Sequence, residues 1–230
     1  RIEVRSLSPQ LNEDVAKNAT NFFSRALSAG LDFRMGITGV NDPSGSDAKI
    51  VGKFCSKATS DKSDDGGEDR FLLPGEQSTF TSCVTNPPGN EGGSEYGLTN
   101  AREAVKIHLP RAAGSPDKVR PDAKLVIIVV TDEIPNELND SKNSIVTSSD
   151  FNTCILPSDV QSKLEAYIKP YYDLFSGAEN PQAASIFHLI GGVCSNSCDA
   201  DVGHGYRELA QRLGGQIGDV CQKDLGNTLQ

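Results

Sequence analysis

The stretch Lys124-Leu125-Val126-Ile127-Ile128-Val129-Val130-Thr131-Asp132 decides the fold. Its apolar run, Leu125 to Val130, is dominated by β-branched side chains and shows no polar alternation. Strands of that kind are buried on both faces, at the centre of a parallel sheet. The run therefore predicts a central strand over Lys124–Val130, ending in Thr131-Asp132-Glu133.

Helical and strand patterns alternate on both sides of it. Upstream, Ser8-Pro9 supplies a hydroxyl cap and a proline at the first helical position. Leu11, Val15, Ala19, Phe22, Phe23 and Ala26 then make one apolar stripe, and Gly30 stops it. Leu31–Val40 reads as a strand, with Phe33, Met35 and Ile37 alternating. Ile50–Phe54 and Phe71–Leu73 read as short strands, Phe80–Val84 as a lead into the next helix, and Tyr96–Leu109 as that helix. Downstream, residues 134–157 are an irregular loop insertion. Ser158–Phe175 is a helix with a Ser/Asp start. Ala184–Ile190 is a strand, Gly205–Leu213 a helix stopped by Gly214-Gly215, and Gln216–Val220 a last strand before Cys221.

This alternation implies a single α/β domain over residues 1–230, doubly wound, with a mostly parallel sheet and helices on both faces. Residues 56–69, nearly all Ser, Lys, Asp and Gly, read as a mobile acidic loop. The 31 acidic residues exceed the 22 basic ones, and the basic residues form no stripe. That excludes a nucleic-acid partner. No apolar run reaches the roughly 20 residues a membrane span needs. The chain opens at Arg1 without a signal peptide, which reads as part of a longer precursor.

Six cysteines point to disulfide-linked loops and an oxidising compartment, with the pairing left open. Zinc is the rival reading, on Cys194, Cys198 and nearby His204, but the other cysteines are scattered singly.

In doubly wound sheets, ligands bind beyond the carboxyl ends of the strands. Asp132 follows the central strand, Ser94 stands in Gly92-Gly93-Ser94-Glu95 before a helix, and Ser6 and Ser8 precede the first helix. A carboxylate with several hydroxyls is a hard oxygen set suited to Mg²⁺ or Ca²⁺. Glu95 and Glu133 read as solvated rim residues. His108 stands late in a helix, where positive charge suits the dipole. His188 reads as a core residue and His204 lies at a Gly-rich helix start. Gly-x-Ser-x-Gly, the P-loop and the Gly-x-Gly-x-x-Gly fingerprint are absent, so nothing marks an enzyme.

Four stretches carry a resemblance: NATNFFSRALSAGLDFRMGITGV (18–40), GGSEYGLTNAREAV (92–105), KLVIIVVTDE (124–133) and YRELAQRLGGQIGDVCQKDLG (206–226). In order and spacing they resemble the von Willebrand factor A domains, most closely the secreted and lipoprotein A-type domains of myxobacteria and their relatives. The resemblance implies a Rossmann-like fold and a metal-ion-dependent adhesion site. There a DxSxS motif ends the first strand, a Thr or Ser lies on the second loop and an Asp ends the fourth strand. Carried over, the metal ligands are Asp132, Ser94, Ser6 and Ser8, and the ion is Mg²⁺ or Ca²⁺. Val4 stands where the motif has its Asp, which removes one of two carboxylates. Only Arg1 to Val4 precede the motif's serines, so the first strand is short or missing.

The function implied is an extracytoplasmic adhesion module, whether secreted, periplasmic or at the cell surface. It would bind a protein or cell-surface ligand through loops 41–49, 86–95 and 132–157, as part of a larger chain or assembly. The alternatives are a metal-free structural subunit of a surface assembly, whose incomplete sheet accepts a strand, and a metal-assisted hydrolase on Asp132 with Glu133 or His204.

Overall fold

The structure, a computed structural model, describes residues 2–6, 17, 21, 23–57, 67–89, 95–140, 142–194 and 198–222. For residues 2–6, 46 and 47 it describes the backbone alone. Within this set the strands are β1 (Ile2–Ser6), β2 (Gly36–Gly39), β3 (Leu125–Thr131), β4 (Ser185–Gly191) and β5 (Ile217–Asp219). All pair in parallel, in the order β2-β1-β3-β4-β5. The helices are α1 (residues 23–28), α2 (Gln77–Thr85), α3 (Gly97–Ile107), α4 (Ser158–Phe175) and α5 (Tyr206–Arg212).

β3 is central, as its apolar run demands. β1 runs along one side of it from Ile2↔Ile127 to Ser6↔Thr131, and β4 along the other from Leu125↔Ser185 to Val130↔Ile190. The short first strand is in place and pairs with both β2 and β3. Successive strand residues point to opposite faces, and β3 accordingly feeds two cores. Leu125, Ile127 and Val129 pack with Phe187, Leu189 and the apolar sides of α3, α4 and α5. Ile128 and Val130 pack with Ile37, Ile190, Phe23 of α1, and Phe80, Cys83 and Val84 of α2. Each such side chain contributes about 1.5–3 kcal/mol by leaving water. The chain is thus an α/β protein with a parallel sheet and packed helices.

The helix stop predicted at Gly30 is built as expected. Gly30 has φ +66°, the Leu31 N–H reaches back to Ala26 O at 3.1 Å and the Gly30 N–H to Leu27 O at 2.9 Å, a glycine-terminated cap. The rest of that helix, including the Ser8-Pro9 start, lies outside the described residues, as does most of the 56–69 loop.

Three local expectations need correction. Phe80–Val84 does not lead into a helix; it lies inside α2. Phe80, Cys83 and Val84 follow the helical i, i+3, i+4 spacing and are the buried side of that helix. Ile50–Phe54 is not a strand. A 3₁₀ turn over Ser46–Ile50 leads into Gly52, at φ +75°, pressed against α3. A Cβ there would stand 2.5 Å from Ala104 N, so the segment packs on a helix and leaves the sheet. Phe71–Leu73 contributes one antiparallel bridge, Met35↔Leu72, and no longer ladder. A smaller revision concerns α4: Pro157 takes the cap position and Ser158 is already helical.

Two disulfides are present. Cys55–Cys83 ties the segment after β2 to α2, and Cys198–Cys221 ties the loop after β4 to the segment after β5. With Cys198 bonded, the Cys194/Cys198 zinc reading fails. Cys154 and Cys194 are free. Among the described residues, no helix is long and apolar enough to cross a membrane.

Candidate functional site

The strand order places a change of direction between β1 and β3: the chain leaves β1 towards β2 and leaves β3 towards β4. Diverging connections open a crevice at the carboxyl ends of two such neighbours. Here the ends are Ser6 and Thr131, directly paired in the register, with Asp132 the next residue.

Backbone hydrogen bonds fix what surrounds this crevice. The Tyr96 N–H donates to Val40 O at the end of β2, at 2.8 Å. Asn100 of α3 donates from Nδ2 to Asn41 O and Tyr96 O, both at 2.8 Å. The segment after β3 closes on the start of α3 through a reciprocal pair: Asn136 N donates to Glu95 O at 2.7 Å and Glu95 N to Asn136 Oδ1 at 2.9 Å. From the far side, Asp201 N donates to Asp132 O at 2.8 Å, and Val202 N to Phe151 O at 2.8 Å.

Among the described residues, several carboxyl groups gather along this edge, and six of them divide into two kinds. Glu137 and Glu208 serve helix N-termini, whose unpaired N–H groups and dipoles favour negative charge. Glu137 Oε1 accepts from Thr99 N in the first turn of α3 at 2.7 Å, while Tyr96 at the cap position offers no side-chain bond. Glu208 Oε2 accepts from Gly205 N, the α5 cap, at 2.6 Å. Burial acts to raise Glu208, but His204, Arg207 and the Gly205 N–H bring it below the ordinary carboxylate value. Burial raises Glu137 to about 7 in spite of its Thr99 bond.

Glu95, Glu133 and Asp201 are instead raised by burial and by neighbouring carboxylates, with Asp132 among those neighbours. Burial, and then the charges of Glu133 and Asp132, push Glu95 up to about 9. Against these acts the Thr131 hydroxyl, whose proton is shared between Glu133 O at 3.2 Å and Glu95 Oε2 at 3.4 Å. Glu133 is raised by desolvation and by Asp132 and Asp201, and Asp201 by desolvation and by Asp132, with His204 pulling the other way. Carboxylates that raise one another in this way favour a cation between them or a proton on one of them.

Of the expected metal ligands, Asp132 stands half-buried at this edge. The backbone of Ser6 is beside it, but the Ser6 side chain lies outside the description, and Ser8 and Ser94 lie wholly outside the described residues. Among the described residues, no group of three or more His, Cys, Asp and Glu side chains is arranged to hold a metal ion. The described donors thus do not by themselves complete a Mg²⁺ or Ca²⁺ site.

Glu95 is not a solvated rim residue: it is 7% exposed. Its place directly after Gly-Gly-Ser at a helix start was the available signal. Asp201 arrives from a loop about seventy residues along the chain, and nothing local in its sequence marks it. The histidines do not meet the acids as a catalytic set. His204 is fully buried, its Nε2 on Thr153 O at 2.9 Å and its Nδ1 3.8 Å from Glu208. His108 stacks on Phe54 at 3.7 Å, with Nε2 3.3 Å from Asp69. Nδ1 of His188, half-buried in β4, accepts from Gln216 N at 3.0 Å.

A cavity of about 690 Å³ lies elsewhere, on the α1 side of the sheet. Its walls come from the segments preceding β2, β3 and β5, including Asp32, Lys124 and Gln216, and from residues of β3 and β4 such as Val126 and His188; Asp132 is not among them. No protein-family model matches the chain, and comparison with curated proteins gives no match either.

Proposed function

We propose that the chain is an extracytoplasmic binding or adhesion module, a doubly wound domain of the von Willebrand factor A type. It engages a protein or cell-surface ligand through loops 41–49, 86–95 and 132–157. The observation that carries this is the convergence of Glu95, Asp132, Glu133 and Asp201 at the crevice between β1 and β3, in excess of what the helix N-termini use. Disulfides joining its loops support a compartment outside the cytoplasm. Carboxyl groups that raise one another beside a ligand crevice favour a cationic occupant. That occupant is either a divalent ion, Mg²⁺ or Ca²⁺, bridging to an acidic side chain of the partner, or a basic group of the partner itself.

The alternative of a strand-accepting structural subunit has less support, because Ile2–Ser6 already fills the place between β2 and β3. Hydrolysis has less support too, since His204 is turned into the protein. The test is capture of immobilised proteins and glycans by the chain, with Mg²⁺, with Ca²⁺ and with excess chelator. Asp132→Ala is expected to abolish capture. Loss with chelator alone assigns an ion to the crevice; capture that survives chelator but not Asp132→Ala assigns a basic partner group. Capture unchanged by Asp132→Ala and Asp201→Ala would remove this edge from the function.

A further inference from the structure

Two of the six cysteines are unbonded, and they are not far apart in space. Cys154 belongs to the long loop after β3 and Cys194 to the loop after β4. The Cys154 thiol reaches Cys194 O at 3.4 Å. A hydrogen bond between the two thiols holds the Cys154 thiol above its ordinary value, with the charge of Arg207 acting against it. The Arg207 guanidinium spans the pair. Nη1 lies 3.5 Å from Cys194 Sγ and Nη2 3.2 Å from Cys154 O. Arg207 is itself held by Glu208 Oε1 at 3.1 Å, so the cation is fixed in place by α5.

Access distinguishes Cys194 from the bonded cysteines. Cys55 and Cys83 are fully buried and Cys198 and Cys221 half-buried, like Cys154, whereas Cys194 is exposed. Thiol–disulfide exchange needs an accessible sulfur and is favoured beside a cation. Cys194 meets both conditions, and Cys154 stands where a second, resolving thiol is needed.

We propose that Cys154 and Cys194 are a redox modification site, closed into a third disulfide by exchange with a small-molecule disulfide. The Cys194 thiolate attacks one sulfur of the small disulfide and displaces one thiol. Cys154 then attacks the Cys194 sulfur of the mixed disulfide and displaces the second thiol. The protein's two thiols lose two protons and two electrons, and the small disulfide gains both as two free thiols. The new bond joins the loop after β3 to the loop after β4. These loops are otherwise held together by Asp201 N to Asp132 O, Val202 N to Phe151 O and His204 Nε2 to Thr153 O. Since Cys198–Cys221 already anchors the second loop, the third bond fixes that loop on both sides of the segment between Cys194 and Cys198. Closure does not depend on the binding function proposed above.

The full chain is equilibrated in glutathione buffers from reducing to oxidising, trapped by alkylation, digested and mapped by mass spectrometry, with thermal unfolding followed in parallel. A peptide joining Cys154 to Cys194 is expected, opening under milder reduction than Cys55–Cys83. Closure is expected to raise Tm by about 5 °C, the usual scale for a cross-link in a domain of this size. Cys154→Ser and Cys194→Ser should each retain the two existing disulfides and lose that shift. Two alkylated thiols after oxidation, glutathione retained on Cys194 without a bridge, or a Cys194–Cys198 link would each overturn the proposal.

Discussion

The two edges of the sheet are built on opposite terms. At the carboxyl edge, backbone and side-chain hydrogen bonds knit the end of β2, the start of α3 and the segments after β3 and β4 around crowded carboxyl groups. At the amino edge lies an open apolar cavity floored by residues such as Met35, Val126 and Ile128. Its rim carries Arg34, Lys118, Arg120 and Lys124 against Asp32 and Asp122, and Arg120 is already paired with Asp32. Charge that merely kept the protein soluble would have no reason to sit where burial raises Glu95 and Glu137. The difference marks the carboxyl edge as the one where charge has been kept at a cost in stability.

The largest effect that would break this contrast is steric. Gly97 begins α3, and a Cβ on it would stand 2.1 Å from the hydroxyl of Tyr206, which is 1% exposed. Gly97→Ala is expected to cost about 2 kcal/mol in urea unfolding, the scale of overpacking a tight core. Tyr206→Phe in the same background removes the clashing oxygen and should recover part of the loss. A neutral Gly97→Ala would mean that the start of α3 is not clamped, and the rigid side of the comparison would fail.

The next effect is electrostatic, and its sign follows from the raised carboxyl groups. Glu137 and Glu95 keep their protons to about 7 and about 9, against an ordinary value of 4.5 in the unfolded chain. Between those limits the folded protein holds protons that the unfolded one releases, so stability falls as pH rises. Their contribution is complete below about pH 4.5, and is lost through about 7 for Glu137 and about 9 for Glu95. Glu95→Gln should raise stability at pH 9 by at least about 1.4 kcal/mol, the worth of one pKa unit. Tm measured from pH 5 to 9 should then decline less steeply than in the unaltered chain. A parallel decline would show that Glu95 ionises normally. Glu137→Ala should cost about 1 kcal/mol at pH 5, as the loss of a helix cap does, whereas Glu137→Gln keeps an acceptor for Thr99 and should be nearly neutral there.

Much of the sheet and little of the edge could be read from the residues in order. β3, α4 and the glycine stops at Gly30 and Gly214 are set by local patterns: β-branched runs, helical spacing and the need for positive φ. Phe80–Val84 reads as a lead into the next helix because a run this short carries little periodicity, and its packing with Phe23 and Ile37 shows it to be the buried side of a helix of its own. At the carboxyl edge, Asp132 was legible from its place after β3. Glu95 looked like a surface residue, because its burial comes from Asn136 and Thr131, both far along the chain. Asp201 is brought in by its backbone bond to Asp132, a contact without a sequence signature.

The smallest expected effect sharpens the contrast from the other edge. Lys124 is exposed at the cavity rim, and Lys124→Ala should change stability by no more than about 0.5 kcal/mol, as surface substitutions usually do. The informative measurement pairs it with Glu95→Gln in calorimetric titrations with Ca²⁺ and with Mg²⁺ at pH 8, in buffers of different ionisation heat. A cation entering among Asp132, Glu133 and Asp201 would favour the ionised form of Glu95 and drive off its proton. The apparent heat should therefore depend on the buffer in the unaltered chain and in Lys124→Ala, and that dependence should vanish in Glu95→Gln. If Lys124→Ala changes proton release as much as Glu95→Gln does, the two edges are energetically coupled, and the division between a carboxylate-rich edge and an apolar one is wrong.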